Sequence, residues 1–335
     1  MKKFILVLDI GTTNIKGLIF DKKGNIIGQE MKQPRYIIKE KGQVEQDPDE
    51  IWELSKTVIS KVLKAKRLKA ENIASLGITT QRASFLLWDK KTGKKLTNII
   101  TWQDKRCAAY VESKNNLLWL KFVRTFARMF RGIIPSAKLL LLSIMQFDTV
   151  HTTSRTGYLF KNNPDLKNRA HVPGTSICWG TIDSWILWNL TGGKVHATDY
   201  SNASSTGIMD PFTLQWSNML RSIFNVPVEI LPEILETRGD FGSTSLFGNG
   251  EIPIRANIAD QQASLYGQCC FEYGEMKCTN GTGSFIDLNT GEKPYASKRR
   301  LYPLVAWRVN NKTTYMLEGQ SQNTGSVVDL SLIHI

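Results

Sequence analysis

No run of the 335-residue sequence is apolar and uncharged for long enough to cross a bilayer, so no membrane-spanning helix is expected. The opening MKKFILVLDIG starts like a secretory leader. Asp9 ends its apolar run too early for one, and the expected location is cytoplasmic. Cysteine is scarce and odd in number: Cys107, Cys178, Cys269, Cys270 and Cys278. Their irregular spacing, without a CxxC pair, argues against a disulfide framework or a zinc site and for reduced thiols. Ser, Gly and Gln tracts are absent, and 41% of residues are apolar, as in ordinary folded domains. The length suffices for a large core and for more than one domain.

Acids are missing from one long segment. There is none from Ser113 to Phe147, while the whole chain carries a net charge of +13. Within that segment Lys121, Arg124, Arg128 and Arg131 recur at steps of three and four, which places them on one helix face. Trp119, Phe122, Phe126, Met129, Phe130 and Ile133 fall on the opposite face. The expectation is a surface helix that buries its apolar stripe; the alternative is peripheral membrane contact through Lys121–Arg131. The alternation of aromatic and basic residues typical of nucleic-acid grooves is absent, so nucleic acid is not an expected partner.

Phe4–Leu8, Ile15–Phe20 and Ile26–Glu30 read as a three-stranded meander with turn residues between the strands. A helix follows at DPDEIWELSKTVISKVLKAKRL, with Asp47 as N-cap and Pro48 at its first position. IASLGITT then reads as a buried strand, and SFLLWDKKTGKKL as a hairpin around Thr92-Gly93. A meander, a helix and another strand imply a mixed α/β layer. Far downstream, EYGEMKCTNGTGSFIDLNTGE repeats the strand–turn–strand pattern, with Glu275–Thr279 and Ser284–Asn289 as strands. RANIADQQASLYGQ, just before it, reads as a strand ending in Asp260 and then a helix.

In LDIGTTNIKG a tight turn exposes backbone N–H groups that a phosphate can approach closely over Gly11. Thr12 and Thr13 add hydroxyls and Lys16 a cation. Asp9, at the end of the strand, is placed to hold Mg²⁺, which favours one or two carboxylates plus phosphate oxygens. Alone, such a turn reads first as a plain hairpin with polar turn residues. A second turn at Gly281-Thr282-Gly283 allows a polyphosphate to be clamped from two sides, as phosphoryl transfer requires. The Walker loop is absent. Asp260 would suit a general base that takes a proton from an attacking alcohol, or simply a helix N-cap; spacing leaves both open.

Several blocks occur in a fixed order: LDIGTTNIKGLIFD, GQVEQDPDEIW, LGITTQR, NIITWQDKR, GTIDSWILWNLTGG, ATDYSNASSTGIMD, ADQQASLYGQ and GTGSFIDLNTG. In this order they resemble the glycerol kinases of the FGGY carbohydrate kinases, and some look nearest to a divergent animal branch of them. The resemblance runs from Phe4 to about Asp329. It implies the actin-like, ribonuclease-H-like ATPase fold, an α/β architecture. The first domain would span 1–265, with substrate contacts and the first phosphate turn; 266–335 would begin a second domain that continues much further in the family.

What the resemblance implies for the residues is ATP and magnesium as cofactors, with Asp9 for the metal. Gly11, Thr12, Thr13 and Lys16 would form one phosphate loop, and Gly281, Thr282 and Gly283 the other. Asp260 would be the catalytic base and would also contact substrate. Gln261, Arg82, Trp102 and Phe285 would bind the polyol, glycerol above others. The family's glutamate after the arginine is Ala83 here, which puts substrate identity in question. Its lysine–tryptophan signature is replaced by Arg155 and Tyr158, and its pocket tyrosine by Phe147. From the same comparison, the 335-residue stretch alone is expected to have little or no kinase activity, because the family's adenosine contacts lie further on. A kinase for another polyol or sugar, a non-catalytic scaffold and a nucleotide hydrolase of the same fold are the competing readings. Oligomeric state is left open, a homo-oligomer included.

Overall fold

The computed structural model describes residues 3–131, 133–134, 136–280, 284–299 and 301–321. Strands β1 (Phe4–Ile10), β2 (Ile15–Phe20) and β3 (Ile26–Lys32) form the antiparallel meander. Helix α1 (Pro48–Ala65) leads into β4 (Ile73–Thr80), and β5 (Ile252–Ala259) joins much later. Sheet order is β3-β2-β1-β4-β5, extended beyond β5 by the short strand Ser243–Thr244. β4 lies parallel to both β1 and β5. An antiparallel meander joined to parallel strands is the expected ribonuclease-H-like layer. β1 alternates sides, with Leu6, Leu8 and Ile10 buried, and these meet Val58, Ile59 and Val62 of α1. The helix starts as its sequence predicts: Asp47 accepts from the Asp49 N–H at 2.9 Å, and Pro48 needs no donor. At Gly17 a Cβ would lie 3.1 Å from the Val58 backbone, so glycine lets α1 approach the sheet.

The expected hairpin around Thr92-Gly93 forms as a short one, with the Asp89 N–H donating to the Lys94 carbonyl at 2.9 Å and the Leu96 N–H to that of Leu87 at 2.8 Å. Asp89 accepts from the Lys91 and Thr92 N–H groups, and Trp88 bridges Lys95 once. The strand Phe85–Asp89 also pairs with Ile177–Thr181 and touches Ile99–Ile100, because its side chains are buried on both faces and need sheet neighbours.

The acid-free segment folds as α2 (Leu118–Phe130) packed on α3 (Ala137–Ile144), followed by α4 (Thr152–Asn162). Here the expectation of a buried apolar stripe fails. Only Leu120 and Ala127 of α2 are buried, whereas Trp119, Phe122, Phe126 and Met129 are exposed. The arginines turn inward because they find backbone and polar acceptors there. Arg124 donates to the Asn115 carbonyl at 2.8 Å, Arg128 to that of Ser143 at 3.1 Å, and Arg131 to the Ser143 hydroxyl at 3.0 Å.

Beyond β5, helix α5 (Asp260–Gly267) precedes a second, antiparallel sheet of β6 (Met276–Asn280), β7 (Ser284–Gly291), β8 (Tyr302–Val309) and β9 (Lys312–Ser321), ordered β6-β7-β9-β8. The sequence-predicted strand bounds agree within a residue or two. Among the described residues no helix is long and apolar enough to cross a membrane.

Candidate active site

The site follows from register. Ile10 of β1 and Ala259 of β5 both lie opposite Thr80 of β4, so three parallel strands end at one level. Gly11–Thr13, Gln81–Arg82 and Asp260 therefore emerge side by side, in the crevice outside the carboxyl ends of the strands where open α/β sheets bind ligands. β7 and β9 of the second sheet close the opposite wall. The resulting cleft, about 450 Å³, is lined by Thr12, Arg82, Trp102, Asp260, Gln261 and Phe285, together with Glu318. Six predicted residues thus line one cleft, whereas Asp9, Gly11, Thr13 and Lys16 are not among its lining residues and Gly281, Thr282 and Gly283 lie outside the described residues.

At the first turn the Gly11 N–H donates to the Asn14 carbonyl at 2.9 Å, which closes the bend between β1 and β2. Asp9 sits opposite Lys16 across the strands, with Nζ 3.7 Å from Oδ2. Burial pushes the Asp9 carboxyl above its ordinary value, and Lys16 pulls it back in part. Among the described residues there is no cluster of three or more metal-ligating side chains. The single partly exposed Asp9 carboxylate beside the Gly11–Thr13 turn would fit a magnesium ion that takes its other ligands from phosphate and water. Thr12 is occupied from inside the protein: its hydroxyl donates to Gln81 at 3.3 Å and accepts from the Trp102 indole N–H at 3.2 Å. Thr13 is exposed in the same turn.

Asp260 is the first residue of α5 rather than its cap, and it accepts from the Gln261 N–H at 2.7 Å. Burial raises its pKa; the neighbouring Arg82 opposes this, and the nearby Asp9 adds to it. A chain of small polar groups sets its place. Asp199 caps the helix Tyr200–Ser204 and accepts from the Ser201 hydroxyl at 2.8 Å, while Ser201 Oγ accepts the Ala259 N–H at 2.9 Å. Asp183 ties Thr181, Thr198 and Asn257 of β5 together. The blocks GTIDSW and ATDYSNASS therefore hold β5 and the residue at its end.

Arg82 is the surprise. It leaves β4 among apolar neighbours and points at carboxylates: Nη2 lies 2.5 Å from Glu318 of β9, and Nε 3.6 Å from Asp260. Its guanidinium also faces the Phe285 ring at 5.6 Å, and Phe285 meets Trp102 edge-on at 6.4 Å. Glu318 pairs in register with Asp287 of β7, and Asp287 with Lys277 of β6, whose Nζ is 2.8 Å away. Lys277 also donates to Gln261 Oε1 at 2.5 Å and to the Thr279 hydroxyl at 2.7 Å. Two cations, Arg82 and Lys277, thus serve three carboxyl groups, Asp260, Asp287 and Glu318. The Glu318 carboxyl is pushed up to about 7 by burial, with Arg82 pulling it down and Asp287 pushing it further up. An acid paired with arginine ordinarily titrates low; here burial and a facing carboxylate outweigh the arginine.

Sequence reasoning passed over Glu318, Asp287 and Lys277. The available signal was period two: Glu318 follows buried Met316 by two positions, so an acid was bound for the inner face. Arg155 and Tyr158, expected near the polyol, lie elsewhere. Arg155 is buried and donates to the carbonyls of Ile100, Thr101, Ala83 and Val150, clamping the loop behind Arg82. Tyr158 packs edge-on against Tyr110 at 6.2 Å. Phe147 lines the cleft while packing on Phe224 at 4.8 Å.

A model of the FGGY carbohydrate-kinase N-terminal domain matches residues 4–267. The chain belongs to the FGGY family of carbohydrate kinases. Among curated FGGY relatives, glycerol kinase 5 of Danio rerio is 41% identical over 97% of this chain, which covers 61% of that protein. Glycerol kinase 2 of Thermotoga maritima is 38% identical over 97% of this chain and 62% of its own. Of solved structures, Plasmodium falciparum glycerol kinase with ADP superposes with a TM-score of 0.84 at 31% identity, covering 99% of this chain and 63% of that one. This FGGY chain therefore spans a little over three fifths of the length of these relatives.

Proposed function

We propose that the cleft transfers the γ-phosphoryl group of ATP to a hydroxyl of a small polyol, with glycerol as the leading substrate. The reading is carried by one observation: Arg82 and Asp260, just beyond the ends of β4 and β5, line one cleft with Phe285 and Trp102, and Asp9 lies near the end of the adjoining β1. The names of the relatives favour glycerol. Asp260 accepts the hydroxyl proton as the alcohol oxygen attacks phosphorus, and its raised pKa suits that task. Phe285 and Trp102 would cover the carbon face of the polyol, and Arg82 and Gln261 its hydroxyls. The N–H groups of Thr12 and Thr13, approached over Gly11, and Lys16 would meet phosphate oxygens. Asp9 would hold magnesium, which when bound neutralises phosphate charge. Residues from 266 onward would begin the second domain, so that the cleft lies between the two.

A second reading, a kinase for a different alcohol, is favoured by Ala83. It lines the cleft next to Arg82 yet offers no side-chain acceptor. Polyol-dependent ADP release tests both, in protein carried on to the relatives' length and in its Asp260→Asn variant. Release that requires glycerol and falls about a thousandfold or more in the variant supports glycerol phosphorylation. Dependence on another polyol supports the second reading, and ADP release indifferent to any polyol overturns both.

A further inference from the structure

We propose that α2, together with Ile133 beyond its end, forms a docking surface for an anionic lipid membrane. The helix is anchored on one side only, by buried Leu120 and Ala127 and by the hydrogen bonds of Arg124 and Arg131. Its outer side displays Leu118 (84% exposed), Phe122 (71%), Met129 (63%) and Ile133 (75%), with Trp119 and Phe126 about half exposed. Phe122 stacks on Phe126 at 6.4 Å and Phe126 meets Phe130 at 4.5 Å, so the rings form one continuous ridge. A contiguous apolar ridge of this kind marks an interaction surface.

Charge decides the occupant. At about 100° per residue, Lys121 borders the ridge on one flank with its side chain exposed, beside Arg128, which remains exposed although its Nε donates inward to the Ser143 carbonyl. No acid occurs from Ser113 to Phe147, so this segment itself supplies no carboxylate that would repel phosphate. A second copy docking ridge to ridge would set these cations against their own kind. Lipid suits both parts of the surface: rings enter the boundary between headgroups and acyl chains while lysine and arginine meet the phosphates. The helix is too short to span a bilayer, so contact is peripheral.

Co-sedimentation with phosphatidylcholine vesicles, with and without phosphatidylserine, tests the proposal on the 335-residue chain. The expected result is binding to the serine-containing vesicles that weakens with salt. It falls about tenfold or more in the Phe122→Glu/Phe126→Glu variant and by a smaller factor in Lys121→Glu, with melting temperatures unchanged. Both substitutions lie on exposed positions, so the fold is not at risk. Wild-type protein left in the supernatant with anionic vesicles, or a double variant that sediments equally, overturns the proposal. So does a concentration-dependent dimer that the double variant dissolves, which would assign the ridge to a second copy.

Discussion

Arg82 and Glu318 lie 236 residues apart in sequence and 2.5 Å apart in space, joining the end of β4 to the middle of β9. The contact ties the two sheets across the cleft that both line. It also aims the guanidinium. With Glu318 on one side, Asp260 on another and Phe285 over its face, Arg82 has few orientations left. Preorganisation of this kind lowers the cost of ordering a substrate contact.

The raised pKa of Glu318 gives a measurable signature. In the unfolded chain the side chain titrates near its ordinary value of 4.5, but in the fold at about 7. Between those values the folded state holds the extra proton, so this group's contribution to stability is present at low pH and lost as pH rises. The loss is at most about 1.4 kcal/mol per pH unit. Glu318→Gln removes that slope. Thermal unfolding of both proteins from pH 4.5 to 8 should show the variant gaining on wild type as pH rises. A constant or opposite trend would contradict the ionisation assigned here.

Ala83 takes a left-handed backbone, φ +56°, next to Arg82, and its carbonyl accepts from Arg155 at 2.5 Å. A glutamate there would supply the acceptor that the resemblance to glycerol kinases leads one to expect. A pocket that pairs each hydroxyl discriminates on the order of 10⁴-fold. Ala83→Glu should therefore lower KM for glycerol in protein of the relatives' length; steady-state kinetics that give an unchanged or higher KM would remove glycerol's advantage over other polyols.

Arg155 is a buried cation facing carbonyls, and burial brings its pKa down to about 10. Its planar fork reaches four acceptors at once, which an ammonium cannot. Arg155→Lys should cost on the order of 3 kcal/mol, visible as a lower denaturant midpoint, and faster amide exchange around Arg82–Ser84 should accompany it. Stability within about 0.5 kcal/mol of wild type would show that the carbonyl clamp contributes little.

Ser201→Ala removes the acceptor of the Ala259 N–H and leaves Asp260 itself intact. The expected outcome is a kcat decrease of about tenfold with KM for the polyol nearly unchanged, since a small displacement of a base affects the transition state more than binding. Equal falls in kcat/KM through KM alone would place Ser201 in binding instead.

Local elements were legible because their causes are local. The alternation of β1, the Asp47-Pro48 start of α1 and the Gly11 turn each carry their signal within a few residues. Asp9, Arg82 and Asp260 could be picked out as site candidates because each is a polar residue at or next to the end of an apolar strand. The helix α2 misled because periodicity reveals two faces and not which one meets the protein. That choice fell to the carbonyls of Asn115 and Ser143, which gave the arginines partners.

By itself, then, the sequence determined the strands, the helix starts, the family and the residues at the mouths of the parallel strands. Only the tertiary structure decided what those residues face. Glu318, Asp287 and Lys277 reach Arg82 and Gln261 through strand register between sheets formed far apart in the chain. Register is a property of pairing, and a buried charge can be counted from sequence but not assigned its partner until the strands that carry both have met.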